Sequence, residues 1–383
     1  MNLLVTGVGS ANKGAELMLI AIKEHFAKRA PELRISVSQH AADFAWRSQR
    51  GLWQFVDVRK RGRSWLGMKL LPSSFRESFG LTTLADIDAL VDASGFAFGD
   101  QHPAVRTSDF AKLVTACKNQ GKKVILLPQS FGPFKRPELR QPMKTVLNHT
   151  DLICARDTPS YEALKELSPD HPGIRLAPDI TIGVSQEHSP SQTEIGKSVL
   201  LVPNSRMLDR TSPEEAEIYL TRFAGWINLV RALNHEPKIL LHDEREDPQL
   251  VERIQPRLKE PVVVIPPSDP LSLKNSLTRC RLVIGSRFHA LLGALSQGIP
   301  AIGFGWSHKY QELFNDFGCP EMVVPLTTPD SELKMLFGKA LSEDWRQPQI
   351  ARQNTATERF KSQLRSLWDE VDSSLHSGEE TRS

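Results

Sequence analysis

The chain has 383 residues, 40% of them hydrophobic, and a formal net charge of +3 at pH 7. This length suits two α/β domains of about 150–190 residues each, and the apolar content is enough to build two cores. The charge is too small to indicate a nucleic-acid partner.

Cysteine usage and the N-terminus indicate a cytoplasmic protein. The cysteines are scattered, which argues against a disulfide framework or a zinc site and fits a reducing compartment; they are Cys117, Cys154, Cys280 and Cys319. The first residues enter a strand without the charged and apolar regions of a signal peptide. No run approaches the ~18 apolar residues of a membrane-spanning helix.

Strands and helices alternate in the first half of the chain. Buried strands are predicted at residues 3–8, 33–39, 88–93, 123–127 and 151–155. Glycines follow the first strand, and helices are predicted over residues 15–29 and 108–120. This alternation predicts a parallel, doubly wound sheet.

A polar stretch over residues 184–197 is predicted to link two domains. The pattern then begins again, with strands at residues 199–202, 237–241, 262–265, 282–284 and 299–304 and a long helix over 213–233. We therefore predict two Rossmann-like domains, residues 1–187 and 196–370, and a disordered tail, residues 371–383.

Basic and aromatic residues mix in the segment from residue 46 to residue 76. The composition is typical of a solvated surface excursion held by a few aromatic residues. It also fits a lid, a dock for a lipid-linked or charged glycan, or peripheral contact with the inner face of a membrane. The sequence leaves these alternatives open.

Two stretches that suggest a cofactor do not fit one. In the first glycine-rich loop, Gly14 is misplaced for the dinucleotide pattern, strand two ends without an acidic residue, and no Gly-Lys-Ser/Thr follows for a P-loop. The run over residues 242–247 mixes both charge signs, which is more typical of a solvated turn than of a metal site. We therefore expect neither an organic cofactor nor a metal.

Residues 283–295 form the most informative stretch. An apolar run, a glycine turn and a second apolar run predict a buried strand followed by a helix, with Arg287 and His289 in the first helical turn. That end of a helix carries positive dipole charge and free N–H groups, so it binds anions. Two cationic side chains there indicate a bound anion, although they could also merely solvate the helix end.

The next strand carries the pattern further. Gly298 ends the helix, residues 299–304 form a parallel neighbour, and Lys309 follows that strand. Ligands of such sheets bind beyond the carboxyl ends of the strands. Arg287, His289 and Lys309 are therefore predicted to converge on one rim.

Arginines also follow two other predicted strands. Arg156 follows residues 151–155, and its alternative role is an ion pair with Asp157 or Asp179. Arg206 follows residues 199–202, and its alternative is an exposed loop arginine.

Candidates for binding sugar hydroxyls come from the first half of the chain. Asp100 and His102 follow the small residues after the strand at 88–93, and carboxylates and imidazoles are suitable hydroxyl partners. Their alternative is an ordinary loop. Glu16 follows the first glycine-rich loop, with a solvated first-turn carboxylate as its alternative.

Short motifs spread over about residues 3–320 together resemble the polysaccharide pyruvyltransferase family. In chain order they are Asn12-Lys13-Gly14-Ala15-Glu16, Gly132-Pro133, Arg156-Asp157-Thr158-Pro159-Ser160, Pro178-Asp179, Val202-Pro203-Asn204-Ser205-Arg206, Gly285-Ser286-Arg287-Phe288-His289, Gly298-Ile299-Pro300 and Lys309. The family usually has an acidic residue directly after the loop glycine, where this chain has Ala15 before Glu16.

The resemblance implies a GT-B-like fold with the active site in the interdomain cleft. It implies transfer of a pyruvyl group from phosphoenolpyruvate to a sugar residue of a polysaccharide or glycan precursor, giving a cyclic ketal. The acceptor could be lipid-linked, and no cofactor is required. The predicted donor-binding residues are Arg206, Arg287 and Lys309; the catalytic residues are His289, Lys309 and Arg156; the acceptor-binding residues are Asn12, Glu16, Asp100 and His102.

Two other functions fit the same fold class. A GT-B glycosyltransferase would use a nucleotide sugar, but Glu312 is the only acidic residue near the second-domain helix that could hold the ribose. A non-catalytic glycan or anion binder is also open, because a fold does not by itself give a function.

Overall fold

The computed structural model describes residues 1–27, 29–58, 71–184, 196–209, 212–305 and 308–376. The chain forms two compact units. The first comprises Met1–Ser10, Met18–Ile180 and Gln363–Ser383, and the second comprises Ala11–Leu17 and Thr181–Ser362. Residues 185–195, most of the predicted linker, lie outside the described residues.

The first unit contains a parallel sheet. Its strands are β1 (Asn2–Thr6), β2 (Arg34–Ser38), β3 (Trp53–Phe55), β4 (Leu81–Thr82), β5 (Ala89–Asp92), β6 (Phe96–Phe98), β7 (Lys123–Phe131), β8 (Leu152–Ala155) and β9 (Ile174–Leu176). They lie in the order β4-β3-β2-β1-β5-β7-β8-β9, with β6 paired to β7. The predicted parallel, doubly wound sheet is thus confirmed.

Six helices of the described residues connect these strands. They are α1 (Lys13–Ala27), α2 (Phe44–Gln49), α3 (Ser73–Ser78), α4 (Ala104–Lys118), α5 (Pro137–Asn148) and α6 (Thr158–Leu167). Helix α1 begins in the second unit and ends in the first. Strands β5, β7 and β8 each contain an apolar run because both faces of a parallel sheet are buried, and these side chains pack with those of α4 and α5.

The second unit contains a five-stranded parallel sheet. Its strands are β10 (Ser198–Val202), β11 (Glu236–Leu240), β12 (Val263–Ile265), β13 (Leu282–Gly285) and β14 (Ala301–Gly303), in the order β12-β11-β10-β13-β14. Strands β10 and β13 are buried at every residue. This order matches the first five strands of the Rossmann fold, 3-2-1-4-5, so the prediction of a second Rossmann-like domain is also confirmed.

Helices pack on this sheet and continue to the end of the described chain. They are α7 (Arg206–Asp209), α8 (Pro213–Ala232), α9 (Asp247–Ile254), α10 (Pro270–Leu277), α11 (Phe288–Leu295), α12 (His308–Asp316), α13 (Asp330–Leu341) and α14 (Glu343–His376). Trp226 of α8 stacks on Phe304 with ring centroids 3.7 Å apart. No described helix is long and apolar enough to cross a membrane.

Two sequence predictions need correction. Strand β3 pairs in parallel with β2, so residues 53–55 belong to the sheet and the segment 46–76 is not a surface excursion throughout; residues 59–70 lie outside the described ranges. Arg47 is buried and donates to the side chain of Gln54 at 2.6 Å. Residues 371–376, assigned to a disordered tail, form the last turns of α14.

Candidate active site

The strand order of the second unit's sheet reverses between β10 and β13. Strands β11 and β12 continue to one side of β10, and β14 continues to the other side of β13. Loops diverge at such a switch point, and ligands of open parallel sheets bind there, beyond the carboxyl ends of the strands. Arg206 begins α7 after β10, Arg287 directly precedes α11 after β13, and Lys309 lies in the first turn of α12 after β14.

Arg287 is buried and held by three neighbours. Its guanidinium forms an ion pair with the fully buried carboxylate of Asp247, and its Nε donates to the carbonyl oxygen of Pro203 at 3.3 Å. Its Nη2 lies 3.4 Å from the hydroxyl oxygen of Ser205. Burial raises the pKa of the Asp247 carboxyl above its usual range, and the positive charge of Arg287 opposes that rise. Arg287 is therefore a fixed positive charge.

Arg206 is more accessible. Its side chain is 42% exposed, and its Nη2 lies 3.1 Å from Oε1 of Glu246, which is also partly exposed. The hydroxyl of Ser205 donates to the other oxygen of Glu246 at 2.5 Å. An exposed ion pair of this kind contributes little stability, so the guanidinium can exchange its partner for a ligand at low cost.

The loop over residues 242–247 is only in part the solvated turn that its charges suggested, since Glu244 and Arg245 are exposed. His242, Asp243 and Asp247 are all buried. Asp247 accepts the backbone N–H groups of His242 at 2.9 Å and Asp243 at 2.8 Å while it pairs with Arg287. The loop folds inward because one carboxylate satisfies two main-chain donors and a guanidinium. Among the described residues, no group of His, Cys, Asp and Glu is arranged to hold a metal ion.

The start of α1 lies against this loop. Lys13 is buried, and its ammonium group lies 3.1 Å from Glu16 and 2.5 Å from Glu244. Its backbone N–H donates to the carbonyl oxygen of His242 at 3.4 Å. Burial lowers the pKa of Lys13, but the two carboxylates outweigh burial and raise it above its usual value. Glu16 is fully buried, so its interpretation as a solvated carboxylate is wrong.

Asn12 caps α1 rather than facing a ligand alone. Its side-chain oxygen accepts the N–H groups of Gly14 at 2.9 Å and Ala15 at 3.4 Å. Asn12 also pairs with Asp243 in an isolated antiparallel bridge. The cap and the bridge fix the helix start beside the loop over residues 242–247.

The imidazole of His289 packs against Gly14. A Cβ atom built on Gly14 would lie 2.2 Å from Nδ1 and 2.6 Å from Cγ of the ring. His289 also meets Phe288 edge to face, with ring centroids 5.5 Å apart. A glycine at residue 14 therefore lets the histidine occupy its place at the start of α11.

Gly14→Ala should disturb this packing. The new methyl group must displace an imidazole near its point of attachment, which costs about 1–3 kcal/mol of stability or moves the ring. Gly225→Ala is the matched control, since Gly225 also lies in a helix and nothing lies near its Cβ position. Unfolding midpoints and turnover of both variants are the measurement. Equal behaviour of the two variants would contradict this packing role.

Lys309 lies above the aromatic residues of the same edge. Its ammonium nitrogen is 5.5 Å from the ring centroid of Phe288 and 5.4 Å from that of Tyr310. The Tyr310 hydroxyl donates to the carbonyl oxygen of Ser286 at 2.7 Å, which anchors α12 to the turn after β13. Residues 306 and 307 lie outside the described ranges.

Arg156 belongs to the first unit and pairs with Asp179. Their side chains are buried and lie 2.9 Å apart, which is one of the two ion pairs considered from the sequence. The Nε atom of Arg156 donates to the Ser130 hydroxyl at 3.0 Å. Asp157 caps α6 by accepting the N–H of Ser160 at 2.9 Å.

Asp100 and His102 also lie in the first unit, whereas Asn12 and Glu16 group with the second. The two carboxylate oxygens of Asp100 accept the backbone N–H groups of Lys135 and Arg136, each at 3.1 Å. The ring of His102 is buried and meets Phe96 edge to face at 4.9 Å. The structure thus does not gather the four acceptor candidates within one unit.

Comparison with known proteins identifies the family. The model of the polysaccharide pyruvyl transferase family matches residues 12–308, which include every element of the edge described above up to the start of α12. The chain belongs to the polysaccharide pyruvyl transferase family. The resemblance seen in its motifs is thus confirmed.

The curated relatives are distant. Amylovoran biosynthesis protein AmsJ from Erwinia amylovora is 22% identical over 265 residues, which cover 62% of this chain and 61% of that protein. The alignment thus spans about three fifths of the length of AmsJ.

Solved structures share the fold. UDP-GlcNAc 2-epimerase from Neisseria meningitidis, bound to UDP-GlcNAc, has a TM-score of 0.58 at 12% identity, covering 96% of this chain and 100% of its own. Anabaena Alr3699/HepE in complex with UDP-glucose has a TM-score of 0.56 at 15% identity, covering 97% and 99%. MurG from Acinetobacter baumannii has a TM-score of 0.53 at 11% identity, covering 97% and 98%. At these identities the likeness shows a GT-B-like fold, as predicted, and nothing about ligands.

The sequence alone did not reveal three of the residues that the fold brings to this edge. Lys13, His242 and Asp247 were not chosen as site residues. A usable signal existed for His242, which lies two residues after a strand, much as Arg206 lies four residues after one. Lys13 and Asp247 are connected to the edge by pairs between residues far apart in the chain, which spacing does not show.

Proposed function

We propose that this pyruvyl transferase moves the pyruvyl group of phosphoenolpyruvate onto two hydroxyls of a sugar residue in a glycan, forming a cyclic ketal. The observation that carries the proposal is the placement of Arg206 and Arg287 on either side of the switch point, with His289 in the first turn of α11. Phosphoenolpyruvate offers a carboxylate and a phosphate, which guanidinium groups and helix N-termini bind well.

The cationic side chains of this edge differ in exposure, and we propose that they bind the donor in different ways. Arg206 and Lys309 are partly exposed and can meet the donor directly. Arg287 adds a fixed positive charge from its buried pair with Asp247. Carboxylates neutralise much of this positive charge. A donor anion therefore binds most favourably where it replaces Glu246 as the partner of Arg206.

The reaction conserves protons, because two are lost by the sugar and two are taken up by the donor. The donor methylene carbon takes one proton and becomes a methyl group, which leaves an electrophilic carbon bearing the phosphate. Two sugar hydroxyls then form bonds to that carbon and lose their protons, the bond from that carbon to the phosphate oxygen breaks, and the phosphate takes the second proton and leaves as hydrogen phosphate. We assign proton transfer to His289, because histidine is the residue that most often acts as a general acid or base. We assign electrostatic support to Lys309. The catalytic role of Arg156 stays a prediction beside its observed pair with Asp179.

The acceptor is proposed to be a glycan or glycan precursor. The acceptor roles of Asn12, Glu16, Asp100 and His102 stay predictions, and each of these residues has a structural task in the fold. Phe75 of α3 and Phe79, which directly follows that helix, are 47% and 61% exposed. Exposed aromatic rings of this kind can contact lipid, so the proposal includes a lipid-linked acceptor and peripheral contact of the segment 46–76 with a membrane.

Arg206→Ala should weaken phosphoenolpyruvate binding by roughly 1.5–3 kcal/mol, because one charge-assisted contact is lost. The unfolding midpoint should change little, since the pair with Glu246 is exposed. Arg253→Ala is a matched control, because Arg253 of α9 forms a similarly exposed pair with Glu217 of α8. Calorimetric titration of both variants is the measurement, and equal affinities would contradict the donor role of Arg206.

A nucleotide-sugar transferase is the second candidate, favoured by the UDP and UDP-sugars bound to proteins of the same fold. A thermal-shift panel with phosphoenolpyruvate, UDP, GDP and NADH separates the classes, because a ligand that binds the native state raises the midpoint. Stabilisation by phosphoenolpyruvate alone supports pyruvyl transfer. Stabilisation by UDP or GDP without phosphoenolpyruvate supports the second candidate.

A further inference from the structure

His242 lies at the same sheet edge and has no role in the function proposed so far. It follows β11, the neighbour of β10, and only 8% of the residue is exposed. Its backbone is held on both sides: its N–H donates to Asp247 at 2.9 Å, and its carbonyl oxygen accepts the N–H of Lys13 at 3.4 Å. The position of the imidazole is therefore determined by the loop and by α1.

The Nε2 atom of His242 is buried, and no hydrogen-bond partner lies within reach of it in the described part of the chain. Leaving a buried polar atom unpartnered costs about 1–3 kcal/mol, so such atoms are rare in folded proteins. A hydrophobic residue of similar size would avoid this cost. An imidazole nitrogen in this place therefore indicates a ligand that supplies the missing partner.

The neighbours of His242 indicate the charge of that ligand. Burial lowers the pKa of His242 to about 3, and the nearby Arg287, His289 and Lys13 lower it in the same direction. The imidazole is therefore neutral in the physiological range and carries one ring N–H. Positively charged neighbours attract an anion, whose oxygens accept hydrogen bonds.

We propose that His242 is a donor-binding residue whose neutral imidazole donates a hydrogen bond from Nε2 to a carboxylate or phosphate oxygen of phosphoenolpyruvate. The assignment rests on the proposed function and deepens it. A neutral donor adds a directed contact without placing another positive charge beside Lys13 and Arg287, where it would be repelled.

Two substitutions of similar size test the assignment. His242→Leu removes every hydrogen-bonding atom, whereas His242→Gln keeps an amide N–H near the position of Nε2. Calorimetric titration of the full chain with phosphoenolpyruvate should show an affinity about 10- to 100-fold weaker for H242L. The affinity of H242Q should stay within about threefold of the wild-type value. Unfolding midpoints recorded in parallel show that both variants are folded.

Titrations with inorganic phosphate and with pyruvate identify the oxygen involved. Weaker binding of phosphate by H242L assigns the contact to the phosphate group, and weaker binding of pyruvate assigns it to the carboxylate; either result supports the proposal. Phosphoenolpyruvate affinity that is unchanged in a folded H242L overturns the role of His242 and leaves the proposed function standing. Absence of phosphoenolpyruvate binding to the wild-type protein overturns both.

Discussion

His289→Ala is expected to lower turnover by about 10²–10⁴-fold while phosphoenolpyruvate affinity changes only a few fold. The imidazole lies in the first turn of α11, beside the switch point of the second sheet. A group that moves a proton acts mainly in the transition state, so its loss reduces turnover far more than ground-state binding. Steady-state kinetics and donor titration of the same preparation are the measurement.

A control is available on the same unit. His235 is partly buried, and its Nδ1 contacts the carbonyl oxygen of Leu233 at 2.8 Å, next to the amino end of β11. His235→Ala should keep normal turnover. If His289→Ala instead lowers the unfolding midpoint and leaves turnover per folded molecule nearly intact, His289 is a packing residue and the catalytic assignment is wrong.

Arg287→Ala is expected to destabilise the protein by about 3–5 kcal/mol, because it leaves the buried Asp247 carboxylate without its cation. Phosphoenolpyruvate binding should weaken as well, since a fixed positive charge is lost from the donor edge. Denaturant unfolding and calorimetric titration measure the two effects separately. Arg206→Ala, which breaks an exposed pair, should cost at most about 1 kcal/mol of stability.

The stability loss of Arg287→Ala should depend on pH. Burial already raises the pKa of Asp247, and removal of the guanidinium raises it further. A carboxyl whose pKa is raised in the folded state favours folding below its unfolded pKa, and this contribution is lost as the pH rises through the folded value. The deficit should therefore be smaller in acid than at neutral pH. A deficit independent of pH would contradict this account.

Apolar runs between glycines and polar residues predicted the main strands of the first sheet and all five of the second, whereas the short strands β3, β4, β6 and β9 were not predicted. Gly285 ends β13, and Gly298 follows α11. Strand β7 was predicted too short, since its last residues look like a polar turn. Gln129 and Ser130 are nevertheless buried in the strand, because their side chains bond to Asp92 at 2.8 Å and to Asp157 at 2.7 Å.

The candidate site was predicted where a local rule applied. Arg206 and Arg287 lie within four residues of the ends of buried strands, and parallel strands bring such residues to one edge. The pairing of each with a carboxylate was not predictable, because Glu246 and Asp247 lie in a run whose mixed charges suggested a solvated turn. The burial of His242, Asp243 and Asp247 in that run depends on the ion pair with Arg287 and on the N–H groups that Asp247 accepts. Only the folded chain brings these groups together.

The central claim is most directly tested by following the pyruvyl group itself. The protein is incubated with carbon-labelled phosphoenolpyruvate and a panel of saccharides, in parallel with UDP-glucose and the same saccharides, and the glycans are examined by NMR and mass spectrometry. The account predicts a labelled pyruvate ketal on a saccharide, with one inorganic phosphate released for each ketal and no product from UDP-glucose. Transfer of glucose from UDP-glucose, with no label entering any saccharide from phosphoenolpyruvate, would contradict it.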